Sequence, residues 1–299
     1  MIDFSIIIIT RNRKWDLVRA IKSILRQSYN ENNLEIIIID NASEDGTVEY
    51  VNEYLRDNFS GDYVVLPQKA NLGVSGGRNL GIKVAKGQYL FFLDDDAYIV
   101  EDDFFERASH YFKENPKVGA LACNIYDRKY LITRNPPLSR LNGHILSLAF
   151  RGGAHFIRRE LFDKGLKYYP PDLFFGAEEL YLAYQIYDMG YQIHFVPELF
   201  VVHAPSNVAF FSSTVRLYRN IINRYVITHL LFQNPKYRYL STLLFLGRII
   251  KNFGIKITLV KEAFAEANDL LKKCKTYEKK LKNETIKFLM SKWGIREVF

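Results

Sequence analysis

Cysteine is scarce in this 299-residue chain: Cys123 and Cys274 lie far apart and show no metal-ligand spacing. No disulfide framework is expected, and a reducing compartment is the simplest setting. No apolar run approaches the ~20 residues that a membrane-crossing helix needs. The N-terminal stretch MIDFSIIIIT has no basic lead-in and is too short for a signal peptide. These absences point to a cytoplasmic protein, or one held peripherally on the inner face of the cell membrane. A P-loop is missing, because no Gly-Lys-Ser/Thr follows the glycine-rich stretch. The dinucleotide fingerprint is missing too, because the turn after the first strand reads TRNR and the glycines follow the third strand.

What the chain does have is an ordinary globular composition, 48% hydrophobic and 25% charged, enough for one large domain or one domain with an appendage. Its net charge of +8 is unevenly spread. Residues 1–204 carry 23 Lys and Arg against 27 Asp and Glu, a balance of −4, whereas residues 205–299 carry 18 against 6, a balance of +12. In that second stretch Tyr, Phe, Leu and Ile are interleaved with the basic residues at helical spacing. The expected division is therefore 1–204 and a basic amphipathic helical region, 205–299. Such a region suits an anionic membrane surface or a helical cap with a solvated lysine face; nucleic acid is not expected, since no recognised binding motif accompanies the charge.

Apolar runs alternate with helical patterns from the N-terminus, the signature of an α/β sheet with crossover helices. Strands are expected at 4–9, 34–39 and 63–66 and in the apolar run from Tyr89 into the three aspartates, with helices at 15–27, 47–55 and 74–85, the last closed by Gly87. Three strand ends then deliver polar residues to one edge: Thr10, Arg11 and Asn12; Asp40 to Ser43; and Asp94 to Asp96. Ligands in such sheets collect outside the strands' carboxyl ends. In YLFFLDDD an extended chain would turn Asp94 and Asp96 one way and Asp95 back toward neighbouring loops. Two hard oxygen ligands facing one way suit Mg²⁺ or Mn²⁺ shared with a phosphate-bearing substrate; the alternative is a solvated acidic loop capping the next helix. Asp40 reads either as an Asx turn before Thr47 or as a partner for a nucleotide base or ribose. The stretch NLGVSGGRNLG, with Asn71, Gly77 and Arg78, offers glycines that let backbone amides approach a ligand at a helix start, and an arginine for an anionic group. Glu178 and Glu179, in the first turn of a helix, would be stabilised as anions by its exposed amides, which suits a general base.

In combination SIIIITRNR, IIIIDNASEDGT, NLGVSGGRNLG, YLFFLDDDA, FRGGAHFIRRELF, FFGAEELYLAYQIYDMGYQI and FVPELFVVH resemble the inverting family 2 glycosyltransferases of the GT-A fold. The resemblance covers roughly residues 2–203. It implies a nucleotide-binding half over 1–100, an acceptor half over 101–204, and a nucleoside-diphosphate sugar donor, a UDP- or dTDP-sugar. Base and ribose would lie against Thr10, Arg11, Asn12 and Asp40, with Asn71, Gly77, Arg78 and Asp95 nearby. Asp94 and Asp96 would hold Mn²⁺ or Mg²⁺ on the diphosphate, with His203 as a further ligand; a lone histidine at a strand end is otherwise a hydrogen-bonded structural residue. The family usually reads Glu-Asp where this chain has Glu178-Glu179, and Tyr181 stands where another acid often follows. The choice of base between Glu179 and Glu178 therefore stays open. His155 is read as lining the acceptor side or packing, and residues 124–148 as an acceptor-side loop. The Gln-x-x-Arg-Trp motif of processive synthases is absent, so transfer of one or a few sugars is expected. The expected acceptor is a saccharide or, if the basic region binds a membrane surface, a lipid-linked sugar of a surface-polysaccharide or glycolipid pathway. Two rivals differ in class: a non-catalytic membrane-bound nucleotide-sugar scaffold, and a sugar nucleotidyltransferase, whose glycine-rich basic loop after the first strand TRNR does not supply.

Overall fold

A computed structural model describes residues 2–133, 135–205 and 212–299. The first part of the chain runs β1 (Phe4–Thr10), α1 (Lys14–Leu25), β2 (Leu34–Asp40), α2 (Thr47–Asn58), β3 (Asp62–Pro67), α3 (Gly73–Val84) and β4 (Tyr89–Asp94). It continues through β5 (Ala97–Ile99), α4 (Phe104–Glu114), β6 (Val118–Asp127), β7 (Ile132–Thr133), β8 (Leu138–Leu141), β9 (His144–Ser147), β10 (Ala154–Arg158), α5 (Glu160–Asp163), α6 (Glu179–Asp188) and β11 (Gln192–His203). Helices α7 (Ser213–Leu231), α8 (Pro235–Phe253), α9 (Ile257–Lys273), α10 (Asn283–Trp293) and α11 (Ile295–Val298) follow.

Among the described residues the strands form one mixed sheet in the order β3-β2-β1-β4-β10-β6-β11-β9-β8, with β5 on β11 and β7 on β6. The first four are parallel, and their register sets Thr10 opposite Asp40 and Ile9 opposite Asp94, so three strand ends share one edge. Beyond β4 the sheet departs from the parallel reading, because β10 enters antiparallel between β4 and β6. The expected loop at 124–148 is instead the end of β6 and a β-ribbon, β7 to β9.

The isoleucine-rich strands are apolar throughout because both sheet faces are covered. Ile6, Ile8, Ile36, Ile38 and Phe91 pack with Leu17, Ile21, Val51 and Phe104 on one face. Ile7, Ile37, Leu90 and Phe92 belong to the core of the other face, where Tyr181, Tyr184, Ile222, Val226 and Leu230 also pack. The C-terminal helices thus complete a core layer rather than trailing from it. Tyr181, the departure at an acidic position, is accounted for here: it is fully buried, and its hydroxyl donates to the Tyr277 carbonyl at 2.7 Å.

Gly87 does not end α3 in the left-handed region, since Ala85 closes that helix with extended backbone. Its glycine is required by proximity, because a Cβ would lie 2.5 Å from the Ser5 backbone nitrogen. Gly77 and Gly81 likewise bring α3 down onto Ile9 and Ile7 of β1.

Candidate active site

Each acidic segment reaches the cavity by a different device. β4 ends at Asp94 and the chain turns at Asp95 and Asp96, so a turn rather than an extended strand separates the three carboxylates. Asp95 points inward, accepting from Thr10 Oγ1 at 2.8 Å and from Arg13 Nη1 at 3.0 Å. Asp96 also takes Arg13 Nη1, at 2.6 Å. Burial and the Asp96 charge lift Asp95 to about 7 against the pull of Arg13 and the Thr10 hydrogen bond. Asp96 itself is buried, yet the His203 hydrogen bond and the charges of His203 and Arg13 hold it below the usual carboxylate range.

His203 is more than a hundred residues from Asp96 in sequence and arrives through strand pairing: β11 sets it opposite Ala97 of β5 and Asp127 of β6. Its Nε2 lies 3.2 Å from Asp96 Oδ1 and its Nδ1 3.2 Å from Asp127 Oδ2. Burial lowers the imidazole, but the hydrogen bond to Asp96 and the charges of Asp96, Asp94 and Asp127 outweigh it, raising the group to about 9.

One ligand atom each from Asp94, Asp96 and His203 lie within 4.8 Å of one another. Hard carboxylate oxygens with one imidazole suit Mn²⁺ or Mg²⁺, and the Asp127 carboxylate behind His203 is the usual outer partner of a ligating histidine. The donor set therefore fits a divalent cation.

Glu178 and Glu179 begin α6 after a tightly held loop in which Phe174 and Ala177 adopt positive φ, 57° and 62°. Such conformations cost about 1–2 kcal/mol each for residues with a Cβ. They are held by Asn223 of α7, whose Nδ2 donates to the carbonyls of Leu173, Phe175 and Gly176 at 2.8–2.9 Å. The two glutamates then diverge. Glu178 is buried with Oε1 accepting from Arg78 Nη1 at 2.9 Å. Glu179 faces the cavity, 3.8 Å from the same nitrogen. Contrary to the expectation from the exposed amides, Glu178 is raised to about 8: burial, then the Glu179 charge, outweigh Arg78 and the backbone hydrogen bonds at the helix start.

Arg78 joins the two acidic groups, with Nη2 3.9 Å from Asp94 Oδ1 and 3.1 Å from the Gly152 carbonyl. Gly152 leaves no room for more: a Cβ would sit 2.5 Å from Glu179 Oε1 and 2.6 Å from Arg78 Nη2.

A cavity of about 830 Å³ is lined by Thr10, Arg11, Asn41, Asn71, Arg78, Asp94, Asp95, Asp96, Glu179 and His203, among others. Three further expected donor residues lie outside that lining. Asn12 clamps two loops, accepting from the Glu44 amide at 2.7 Å while its own amide donates to Ser43 Oγ. Asp40 forms the Asx-type turn, accepting from the Ser43 amide at 2.9 Å, although its buried Oδ1 has no partner among the described residues. Gly77 packs on Ile9. The glycine-rich loop presents no array of ligand-facing amides either: those of Val74 and Ser75 donate to the Phe174 carbonyl and that of Gly73 to Asn71 Oδ1. His155 is sandwiched between Phe92 and Phe150, ring centroids 4.7 and 4.2 Å away, and serves packing. Arg13 and Asp127 were not among the expected site residues. Arg13 stood in the quoted TRNR turn, whereas nothing local marks Asp127, which only strand register brings to His203.

The sequence from 5 to 174 matches the model of glycosyl transferase family 2, more than half of the chain, and the protein belongs to that family. A curated Escherichia coli relative, UDP-Glc:alpha-D-GlcNAc-diphosphoundecaprenol beta-1,3-glucosyltransferase WfaP, is 34% identical over 130 residues, 43% of this chain and 49% of WfaP. The matched stretch is thus about half of that relative's length. Among solved structures, S. aureus TarS 1–349 in complex with UDP-GlcNAc superposes with a TM-score of 0.67 at 15% identity, covering 99% of this chain and 89% of that one. The mannosyltransferase PcManGT from Pyrobaculum calidifontis, in complex with GDP-Man and Mn²⁺, gives 0.60 at 17% identity over 96% and 78%. These likenesses establish the GT-A fold.

Proposed function

We propose that this protein transfers a single sugar from a nucleoside-diphosphate sugar to a hydroxyl of a saccharide or lipid-linked acceptor, in one displacement that inverts the anomeric carbon. The observation that carries the reading is the placement of Asp94, Asp96 and His203 on one wall of a cavity that Glu179 also lines, with Arg78 between them. Support comes from the relatives, since WfaP is named for a UDP-Glc donor and a diphosphoundecaprenol-linked acceptor, and the solved structures of TarS and PcManGT are complexes with UDP-GlcNAc and with GDP-Man and Mn²⁺.

Asp94, Asp96 and His203 would hold Mn²⁺ or Mg²⁺, which would supply positive charge against a diphosphate leaving group. Thr10, Arg11, Asn41 and Asn71 line the donor end. Glu179 accepts the proton of the acceptor hydroxyl; Glu178, tied to Arg78, positions it and does not face the substrate. Arg78 keeps one cation between donor and base walls, and Gly152 admits the base close to the sugar. One base and one displacement invert the configuration, without the second carboxylate that double displacement needs.

No helix among the described residues is long and apolar enough to cross a membrane. The basic region does expose Tyr239, Leu243, Ile255 and Ile257, with Lys236, Lys251 and Lys256 exposed beside them. We place this face on an anionic lipid surface, which would bring a lipid-linked acceptor to the cavity.

The test is a panel of nucleotide sugars with Mn²⁺ or Mg²⁺, following nucleoside diphosphate release. Metal-dependent release from one donor class establishes transfer. Nucleotide binding without release, even with lipid-linked and free sugars supplied, would instead favour the non-catalytic scaffold.

A further inference from the structure

The cavity has a wall that the transfer reaction leaves unused. On α7, Arg216, Asn220 and Arg224 recur every fourth residue, which sets them along one stripe of the helix, and all three line the cavity with Pro136 and Pro137, between β7 and β8, and Glu297 of α11. Asn220 adjoins the base loop: its backbone nitrogen is 3.5 Å from where a Cβ on Gly176 would stand. Arg224 follows one turn further, about 6 Å along the helix axis. Its Nε and Nη2 are shut off from solvent and have no hydrogen-bond partner among the described residues. Its surroundings are themselves cationic. Arg248, whose Nη2 is spent on the Arg296 carbonyl at 2.6 Å, is pulled down to about 10 by burial and then by the Arg224 charge, with Tyr184 and Glu297 opposing. Glu297 is the acidic side chain of this wall, and it is exposed.

Arg224 is half-buried and lines the cavity with part of its guanidinium fork unpaired, and such a planar fork of N–H groups matches an oxyanion that reaches it from the cavity. We propose that Arg224 forms a subsite for an oxyanion carried by the acceptor, a phosphate or carboxylate on the sugar next to the hydroxyl that is attacked. This rests on the transfer reading above and narrows its acceptor to an anionic saccharide. Arg216, at the outer end of the same stripe, lines the approach.

The test follows thermal unfolding of the full chain with Mn²⁺ and saturating uridine diphosphate, then adds a hexose phosphate, a hexuronic acid or a neutral methyl hexoside. A charged sugar is expected to raise Tm further, and the methyl hexoside is not. R224M, which keeps the apolar stem, is expected to be as stable as wild type without ligand, to keep the nucleotide shift, and to bind the charged sugar about tenfold or more weakly; R224K should retain part of that affinity. No charged-sugar shift in wild type, or the same shift in R224M, overturns the subsite. Loss of the nucleotide shift in R224M assigns the arginine to the donor diphosphate instead, and failure of R224M to fold makes it structural; either result also overturns it. Absence of any nucleotide shift in wild type, with guanosine and thymidine diphosphates tried as well, counts against the transfer reading. The charged-sugar arm is therefore also run without nucleotide, where it reads the subsite alone.

Discussion

The aspartates after β4 and the glutamates before α6 are both runs of adjacent acids, and both divide the same way. In each, one carboxylate turns inward to an arginine, Asp95 to Arg13 and Glu178 to Arg78, while a neighbour faces the cavity, Asp94 and Glu179. They differ in what compensates the charge. The aspartates share Arg13, His203 and Thr10, whereas the glutamates share one guanidinium, already drawn toward Asp94. On one wall Asp96 is therefore held ionised while burial and the neighbouring charge raise Asp94 and Asp95, and the other wall keeps its inward carboxyl protonated near neutral pH. The inward residue is in each case a support and the outward one an instrument.

The sharpest way to test that division is to remove the outward carboxylates one at a time. E179Q is expected to lower transfer about 10²- to 10⁴-fold, the usual range for a general base, with metal-dependent nucleotide binding intact. D94N should lose that binding. Calorimetric titration of the nucleoside diphosphate with Mn²⁺ separates the two, and equal loss in both variants would dissolve the distinction.

Next in size is the shared guanidinium. R78M would leave Glu179 without its counter-charge and Glu178 without its hydrogen-bond donor and is expected to lower stability by roughly 3 kcal/mol, and by more above about pH 8, where Glu178 ionises. Urea unfolding at two pH values measures both effects; an unchanged midpoint would mean that the glutamates do not depend on Arg78.

A smaller effect is expected in the pH dependence. Glu178 is raised in the folded state, so folding takes up a proton between the ordinary glutamate range and about 8. Its contribution to stability is complete in acid and is lost as pH rises through that window, at most about 1.4 kcal/mol per pH unit. E178Q should flatten this slope, gaining on wild type as pH rises from about 6 to about 9. Parallel stability curves would place the proton elsewhere.

The smallest expected effect concerns the basic face. Each lysine near an anionic surface is worth about 1 kcal/mol, so K251E/K256E is expected to reduce flotation with anionic vesicles and leave catalysis on a soluble acceptor unchanged. Equal flotation with neutral vesicles would remove the electrostatic account.

Much of the donor wall was legible because strand periodicity and strand ends are local. Four isoleucines followed by Thr10, or by Asp40, announce a buried strand and its edge, and YLFFLDDD announces the third. What could not be read was set by distant pairing. Asp127 looks like any acid at a strand end until β6 and β11 come into register. The glycines of α3 suggested a ligand cradle, but they answer to Ile7 and Ile9 beneath them and to Phe174 across the cavity mouth. Arg224 lay in a stretch read only as amphipathic and basic; its use depends on which way α7 is rolled, and Asn223 sets that by binding three carbonyls 47 to 50 residues upstream.

That asparagine has a further consequence for how the molecule can be altered as a unit. It fastens the loop holding Glu179 to the same helix that carries Arg224. Exchanging the C-terminal helices between relatives would therefore transplant acceptor preference and the placement of the base together, so a chimera joined after β11 inherits a working geometry only when its α7 brings an amide donor at this position.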